Sequence, residues 1–361
     1  MTTVTLDEKP AQRGAAQLAA WLLAVAASIP ALLVLALIAA FAFAGQADAQ
    51  ETECGGRNIL GELRDSDPAA YKRVLDEAAA IPNGQGIFWK VEKAGLAPSW
   101  LMGTMHLTDA RVLSMPDTAR AAWPLAQTVI VESDEILDEK KAMAGLLSRP
   151  ELTMLTDGST ITGLLSASDA RKLDAGLKAR GLSLPLVARM QPWMISSFVS
   201  LPACEYARKA KGAAFLDQKI AGDAKAEGKT LVGLETMEEQ LSAMTDLPVK
   251  FHLDALIETL ALGSRMDDAV ETMIELYRAG DVGLTMPMLK TLTPLGTDPD
   301  QGYAAFEQRI IVDRNKVMAT RAAPYFNRGH VFMAVGALHL PGDEGLVSLL
   351  RQQGYTVTRA Q

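Results

Sequence analysis

The chain has 361 residues, 49% of them hydrophobic, and its 35 basic and 43 acidic residues leave a formal net charge of −8. This length accommodates one large domain or two small ones with a sizeable core. An acidic balance without any basic cluster excludes a nucleic-acid partner and electrostatic docking on anionic lipid.

No charged residue occurs between Arg13 and Asp48, and Ala15 to Ala44 is nearly all apolar, broken by Gln17, Ser28 and Pro30. A bilayer span needs ~20 such residues. Lys9 and Arg13 precede the stretch, whereas Asp48, Glu51 and Glu53 follow it, so the positive-inside rule sends the remainder outward. Ala47-Asp48-Ala49 fits a small-x-small cleavage pattern with Gln50 as the mature start. Residues 1–49 are therefore expected to be a signal peptide or an N-terminal membrane anchor, and residues 50–361 an extracytoplasmic domain, periplasmic or anchored facing outward. Cys54 and Cys204 both lie beyond the export segment. A pair in an oxidising compartment points to one disulfide, with two separate buried thiols as the alternative.

Residues 50–66 are polar and turn-rich, as in a tether. Asp67-Pro68 opens a helix that stops near Pro82-Asn83-Gly84. Ile87 to Val91 and Trp100 to Met102 have the pattern of an antiparallel strand pair across the turn Gly95 to Pro98. Thr128 to Val131 is a continuous apolar run, the mark of a strand covered on both faces. Residues 135–230 are mainly helical, with breaks expected at Pro150, Gly163 and Pro185. Lys229 to Leu234 is the next strand, followed by helices from about Thr236 to Lys290. A helix from Gln301 to Tyr325 leads into the strand His330 to Val335. The chain closes with a helix, Gly345 to Gln353, and a strand, Tyr355 to Thr358. The expected fold is α/β in the broad, α+β sense: a mixed central sheet with flanking helices and a helical insertion.

Two of the four histidines share one frame, Gly103-Thr104-Met105-His106-Leu107 and Gly336-Ala337-Leu338-His339-Leu340. Each frame follows an apolar strand, and an imidazole just past a strand end sits where sheets present catalytic or metal-binding groups. The upstream glycines, Gly103 and Gly336, let the backbone bend or approach a ligand. A satisfied structural histidine is the alternative for either copy alone, and His252 and His330, outside such a frame, are read as structural. Glu132 ends the buried strand Thr128 to Val131, where a carboxylate needs a pair, hydrogen bonds or a metal. Glu235 also follows a strand end, while Thr236 and Glu239 beside it have capping-box spacing. It either braces the site or pairs with a cation. On a 100° wheel started at Phe306, Arg314 falls within the face of Phe306, Ile310, Ile311, Val317 and Met318, with Asn315 at its edge. A guanidinium there needs a carboxylate such as Glu132 or Glu235, or a bound anion, unless its stem packs and its head reaches water.

The combination of Leu101 to His106, Glu132, Gly233-Leu234-Glu235-Thr236, Arg314-Asn315 and Gly336 to Gly342 resembles the TraB/GumN (TraB/PrgY) family. Gly345-Leu346, Leu349-Leu350 and Gly354-Tyr355 are also similar. The resemblance runs from about Cys54 to Thr358 and leaves the N-terminal apolar segment outside. It implies kinship to Tiki-type metal-dependent proteases and a mixed α/β fold with both Gly-x-x-His motifs and a glutamate at one site. His106, His339 and Glu132 then become candidate metal ligands or catalytic groups, with Arg314 beside them and Gly103, Gly336, Glu235 and Asn315 in support. Imidazole and carboxylate donors suit a divalent ion such as zinc, manganese or cobalt. His-Glu-x-x-His and Gly-x-Ser-x-Gly motifs are absent, which argues against the common zinc-protease helix and a serine elbow. Two functions are expected from this pattern. One is an exported metal-dependent hydrolase of a peptide or protein substrate. The other is a non-catalytic exported protein that binds a peptide, pheromone or metal-containing ligand.

Overall fold

In a computed structural model of the chain, the structure describes residues 54–292 and 304–361. Six strands form its sheet: β1 Phe88–Glu92, β2 Ser99–Thr104, β3 Thr128–Val131, β4 Thr230–Gly233, β5 Val331–Gly336 and β6 Thr356–Arg359. Their spatial order is β4-β3-β5-β2-β1-β6. The run β4-β3-β5-β2 is parallel throughout, and β1 alone is antiparallel to its neighbours β2 and β6. The fold is thus an α/β mixed sheet flanked by helices.

Alternation along β5 explains why its run carries no polar break. Val331, Met333 and Val335 enter one core with the helices Asp313–Phe326 and Leu346–Gln352, which contribute Met318, Phe326 and Leu350. Phe332 and Ala334 enter the opposite core with Trp123 and the helix Leu216–Ala226, which contributes Leu216 and Ile220. A strand buried on both faces is apolar at every position. The helical insertion has its own core, in which Leu173, Leu177, Ile195 and Leu256 are fully buried.

Helix boundaries follow local chemistry. Asp67 caps Pro68–Ala79 by accepting the Ala70 N–H at 2.9 Å. The Thr236–Glu239 capping box is present, with N–H to side-chain oxygen distances of 2.9 and 3.1 Å. Residues 50–66 are not simply a tether, because Ile59–Ser66 is a helix capped by Asn58, with Ile59 and Leu60 buried against Ala269 and Leu276. Ile59 and Leu60 anchor it, Leu63 packs against the same core, and Glu62, Arg64 and Asp65 face water. Gly163 and Pro185 lie inside the short helices Ile161–Leu164 and Leu184–Val187 rather than breaking them, since proline is tolerated in a first turn.

The expected buried face of the helix after Gln301 also needs correction. Glu307–Val312 is a π-helix that runs straight into Asp313–Phe326. Its wider turns shift the phase, so the 100° wheel fails across it. Val317 is 39% exposed, whereas Asn315, assigned to the edge, is fully buried along with Met318, Ala319 and Ala322.

Among the described residues no helix is long and apolar enough to cross a membrane. The expected export segment, residues 1–49, lies outside the described residues.

Cys54 and Cys204 form a disulfide with a Cα–Cα distance of 5.4 Å. Beside it, Glu205 accepts the Thr108 N–H and hydroxyl at 2.9 and 2.7 Å, and Arg208 bonds Glu205 at 2.6 Å. The crosslink closes a loop of 150 residues, so it removes considerable freedom from the unfolded chain. Peptide mapping without reductant should recover a Cys54–Cys204 crosslinked pair. Cys54→Ser with Cys204→Ser should lower unfolding stability by about 2–4 kcal/mol in denaturant titration; two free thiols in oxidised protein would contradict the assignment.

Candidate functional site

The parallel topology brings the carboxyl ends of β2, β3, β4 and β5 to one edge, the position where open α/β sheets present ligand groups. Register aligns them: Thr104 pairs with Gly336, and Val131 pairs with both Ala334 and Gly233. His106 lies two residues past β2, Glu132 one past β3, Glu235 two past β4, and His339 closes the 3₁₀ turn Ala337–His339 after β5.

The two motif glycines do different work. A Cβ on Gly103 would meet Leu340 Cδ1 at 2.8 Å and Ala337 Cα at 3.0 Å, so this glycine lets the segment after β5 pack onto β2. A Cβ on Gly336 would lie 3.2 Å from Glu132 Oε1, 3.5 Å from His339 Cδ2 and 3.7 Å from His106 Nε2. Both imidazoles and the Glu132 carboxylate therefore border the space above Gly336.

Each imidazole is anchored at Nδ1, leaving Nε2 on the inner side. His339 Nδ1 is 2.7 Å from Asn315 Oδ1, and Asn315 Nδ2 donates to the Glu344 carbonyl at 3.0 Å. The amide is thereby oriented with its oxygen toward His339, so Nδ1 carries the proton. Burial lowers the His339 pKa to about 4 and keeps the ring neutral near pH 7. His106 Nδ1 bonds Asp217 Oδ2 at 3.0 Å, and Thr104 Oγ1 donates to Asp217 Oδ1 at 2.7 Å. Loss of hydration opposes charge on His106, but the Asp217 carboxylate and then Glu132 outweigh it and raise the pKa to about 9. The ring's outer part is open, with 55% of the side chain exposed, and water there moderates the attraction.

Glu132 is buried and fully engaged. Its Oε1 accepts the Gly336 N–H at 2.7 Å and lies 3.7 Å from His339 Nε2. Its Oε2 accepts from Arg314 Nη2 at 2.7 Å and Gln240 Nε2 at 3.2 Å. Burial opposes its ionisation, yet His339, His106, Arg314 and the Gly336 N–H together hold the carboxyl well below the usual range. Arg314 spans two carboxylates, since it also donates from Nε and Nη2 to Glu235 at 2.7–3.1 Å. Glu235 is thus a brace on the guanidinium, away from the space above Gly336.

Sequence reasoning missed Asp217 and Gln240. Asp217 sits in the first turn of its helix, where an acid is ordinarily explained by the helix dipole. Only the hydroxyl of Thr104, inside the first motif, hinted at a buried polar partner. His252 and His330 bond the Met244 and Leu125 carbonyls at 2.8 and 3.1 Å, away from this edge. Among the described residues, no group of three His, Cys, Asp or Glu side chains is gathered closely enough to hold a metal as it stands.

Arg314 is the cation that Glu132 and Glu235 share. Arg314→Met leaves Glu132 and Glu235 buried without their shared partner and should destabilise the fold by about 3–5 kcal/mol in chemical denaturation. Adding Glu235→Gln should recover part of the loss; a change below about 1 kcal/mol for the single variant would show that the guanidinium does not balance these charges.

The TraB/PrgY/gumN family matches residues 87–359. "Metalloprotease TIKI2" of Danio rerio is 24% identical, with 82% of this chain and 65% of that protein covered. "Metalloprotease TIKI homolog" of Nematostella vectensis is 22% identical, covering 78% of this chain and 68% of that protein. "Metalloprotease TIKI1" of Homo sapiens is 24% identical over 73% of this chain and 60% of that protein. The chain therefore spans about two thirds or less of the length of these relatives. No solved structure matches it. A match covering both Gly-x-x-His motifs and all six strands identifies the chain as a member of the TraB/PrgY/gumN family.

Proposed function

We propose that the chain is an exported metal-dependent hydrolase of peptide bonds, with His106, His339 and Glu132 holding one divalent ion above Gly336. The observation that carries this reading is the convergence of His106 Nε2, the His339 ring and Glu132 Oε1 around the missing Cβ of Gly336. Membership of a family whose relatives include proteins named metalloproteases supports it. Export is read from the apolar segment before Asp48 and is consistent with the disulfide.

The donor types suit such an ion, and the three side chains would have to draw together to hold it. Both imidazoles are fixed from outside at Nδ1, by Asp217 and Asn315, the usual way of aiming Nε2 at a metal. Glu132 Oε1 and His339 Nε2 are 3.7 Å apart, within the ~4.2 Å that two ligand bonds of ~2.1 Å can bridge. Zinc, manganese and cobalt all suit these donors. When bound, the ion supplies Lewis acidity to a carbonyl. Around it, His339 stays neutral through burial, and Arg314 balances the charge of Glu132 and Glu235. A carboxyl held well below its usual pKa is a poor proton acceptor, so Glu132 is read as a ligand rather than a general base.

One feature favours a second reading, the non-catalytic exported binder of a peptide, pheromone or metal-containing ligand. Glu132 already has partners in Arg314, Gly336 and Gln240, and would have to share itself with an ion. Calorimetric titration of the full chain with zinc, manganese and cobalt, followed by exposure to a mixed peptide library, separates the two. Ion binding with turnover supports the hydrolase; ligand binding without turnover supports the binder.

His106→Ala and His339→Ala should each abolish ion binding in that titration while circular dichroism stays unchanged. Gly336→Ala is the sharper test, because its φ of −51° is ordinary for alanine and its methyl would occupy the space between the donors. Asp217→Asn should keep the fold and weaken ion affinity about 10–100-fold, the usual cost of losing an outer partner. Unchanged affinity in Gly336→Ala would place the ion elsewhere.

A further inference from the structure

A cleft of about 790 Å³ opens beside His106. Phe215 forms its inner end, and the Phe215 and His106 rings meet edge-on with centroids 5.3 Å apart. Its walls come from two segments that the site already positions. Ile136 and Leu137 belong to the turn Asp134–Leu137 that follows Glu132, and Ala214 and Phe215 lead into the helix that carries Asp217. Phe215 thus joins the lining of the cleft to the partly exposed ring of His106.

The cleft's charge is unusual for so acidic a protein. Lys140 and Lys209 line it and are exposed, Lys209 with buried Glu205 as an electrostatic neighbour. Neighbouring Lys141, in contrast, is neutralised by Glu135 at 3.0 Å. Asp138, an acid on the wall, faces a helix start: its Oδ1 accepts the Lys141 N–H at 2.9 Å and caps Glu139–Ser148. Two exposed lysines thus border a cleft of mixed polar and apolar lining, with Ile136, Leu137 and Phe215 as its large apolar side chains, in a chain of net charge −8. Such a surface complements an anionic ligand with an apolar side chain, and the general charge of the protein would repel the same ligand elsewhere.

We propose that this cleft binds the segment of an acidic peptide adjoining the bond presented to His106, seating an apolar side chain against Ile136, Leu137 and Phe215 and holding the following carboxylates with Lys140 and Lys209. The assignment deepens the hydrolase reading and rests on it for which bond is presented. Binding is tested apart from turnover. The probes are fluorescein-labelled, end-blocked hexapeptides with a leucine followed by two glutamates, two glutamines or two lysines. Anisotropy titrations use chelator-treated full chain at low salt. The glutamate probe should bind at least tenfold more tightly than the glutamine probe, with the lysine probe weakest. Lys140→Glu with Lys209→Glu, both at exposed positions, should reverse that order, and replacing leucine by alanine in the glutamate probe should weaken it severalfold. Equal affinity for all probes, no binding of any, or an unchanged order in the double variant overturns the proposal. Turnover of the same probes is read separately after adding a divalent ion. Charge-ordered binding without turnover retires the hydrolase and leaves the cleft's assignment standing.

Discussion

A carboxylate at the end of a strand buried on both faces must find its partners inside the fold, and Glu132 finds them on three other segments. Gly336 ends β5, Arg314 comes from the helix packed beneath the sheet, and Gln240 comes from the helix after β4. Since an unpaired buried charge costs several kcal/mol, these segments cannot move independently of Glu132. Arg314 extends the constraint to Glu235, and through it to the end of β4. The alignment of four strand ends is therefore fixed electrostatically as well as by the ladders of the sheet.

The two halves of the repeated motif have diverged in what surrounds them. His339 is buried, neutral and held by an amide, whereas His106 is open on one side, held by a carboxylate and biased toward the charged form. An amide orients a ring without charging it, and a carboxylate does both. One imidazole is thus a fixed fixture of the interior, and the other is the side of the site that a ligand in solution meets first.

Much of this was legible in the sequence, because strand ends carry a simple signature. Thr128 to Val131 and Val331 to Val335 are continuous apolar runs, so the polar residues that end them, Glu132 and the Gly-x-x-His turn, stand out. Glu235 stood out once Thr236 and Glu239 were explained by capping. Asp217 was hidden because an acid in the first turn of a helix already has a local explanation. Gln240 lies on a helix whose polar residues look solvated. The wheel placed Arg314 on the buried face, where it pairs with Glu132 and Glu235, but it left Asn315 at the edge, since nothing in Glu307 to Val312 announces a wider turn. The same limit applies to Ile59–Ser66, whose three apolar side chains, Ile59, Leu60 and Leu63, are too few for a periodic pattern.

That wider turn has a consequence for how the site tolerates changes in chain length. The π-helix Glu307–Val312 holds about one residue more than an α-helix needs over the same rise, and Arg314 and Asn315 take their direction from it. Deleting a single residue there would restore ordinary helix over the same rise and leave Arg314 and Asn315 facing Glu132 and His339. A second deletion would come from regular helix and would turn what lies beyond it by ~100°. The segment thus carries one residue of slack upstream of both supports.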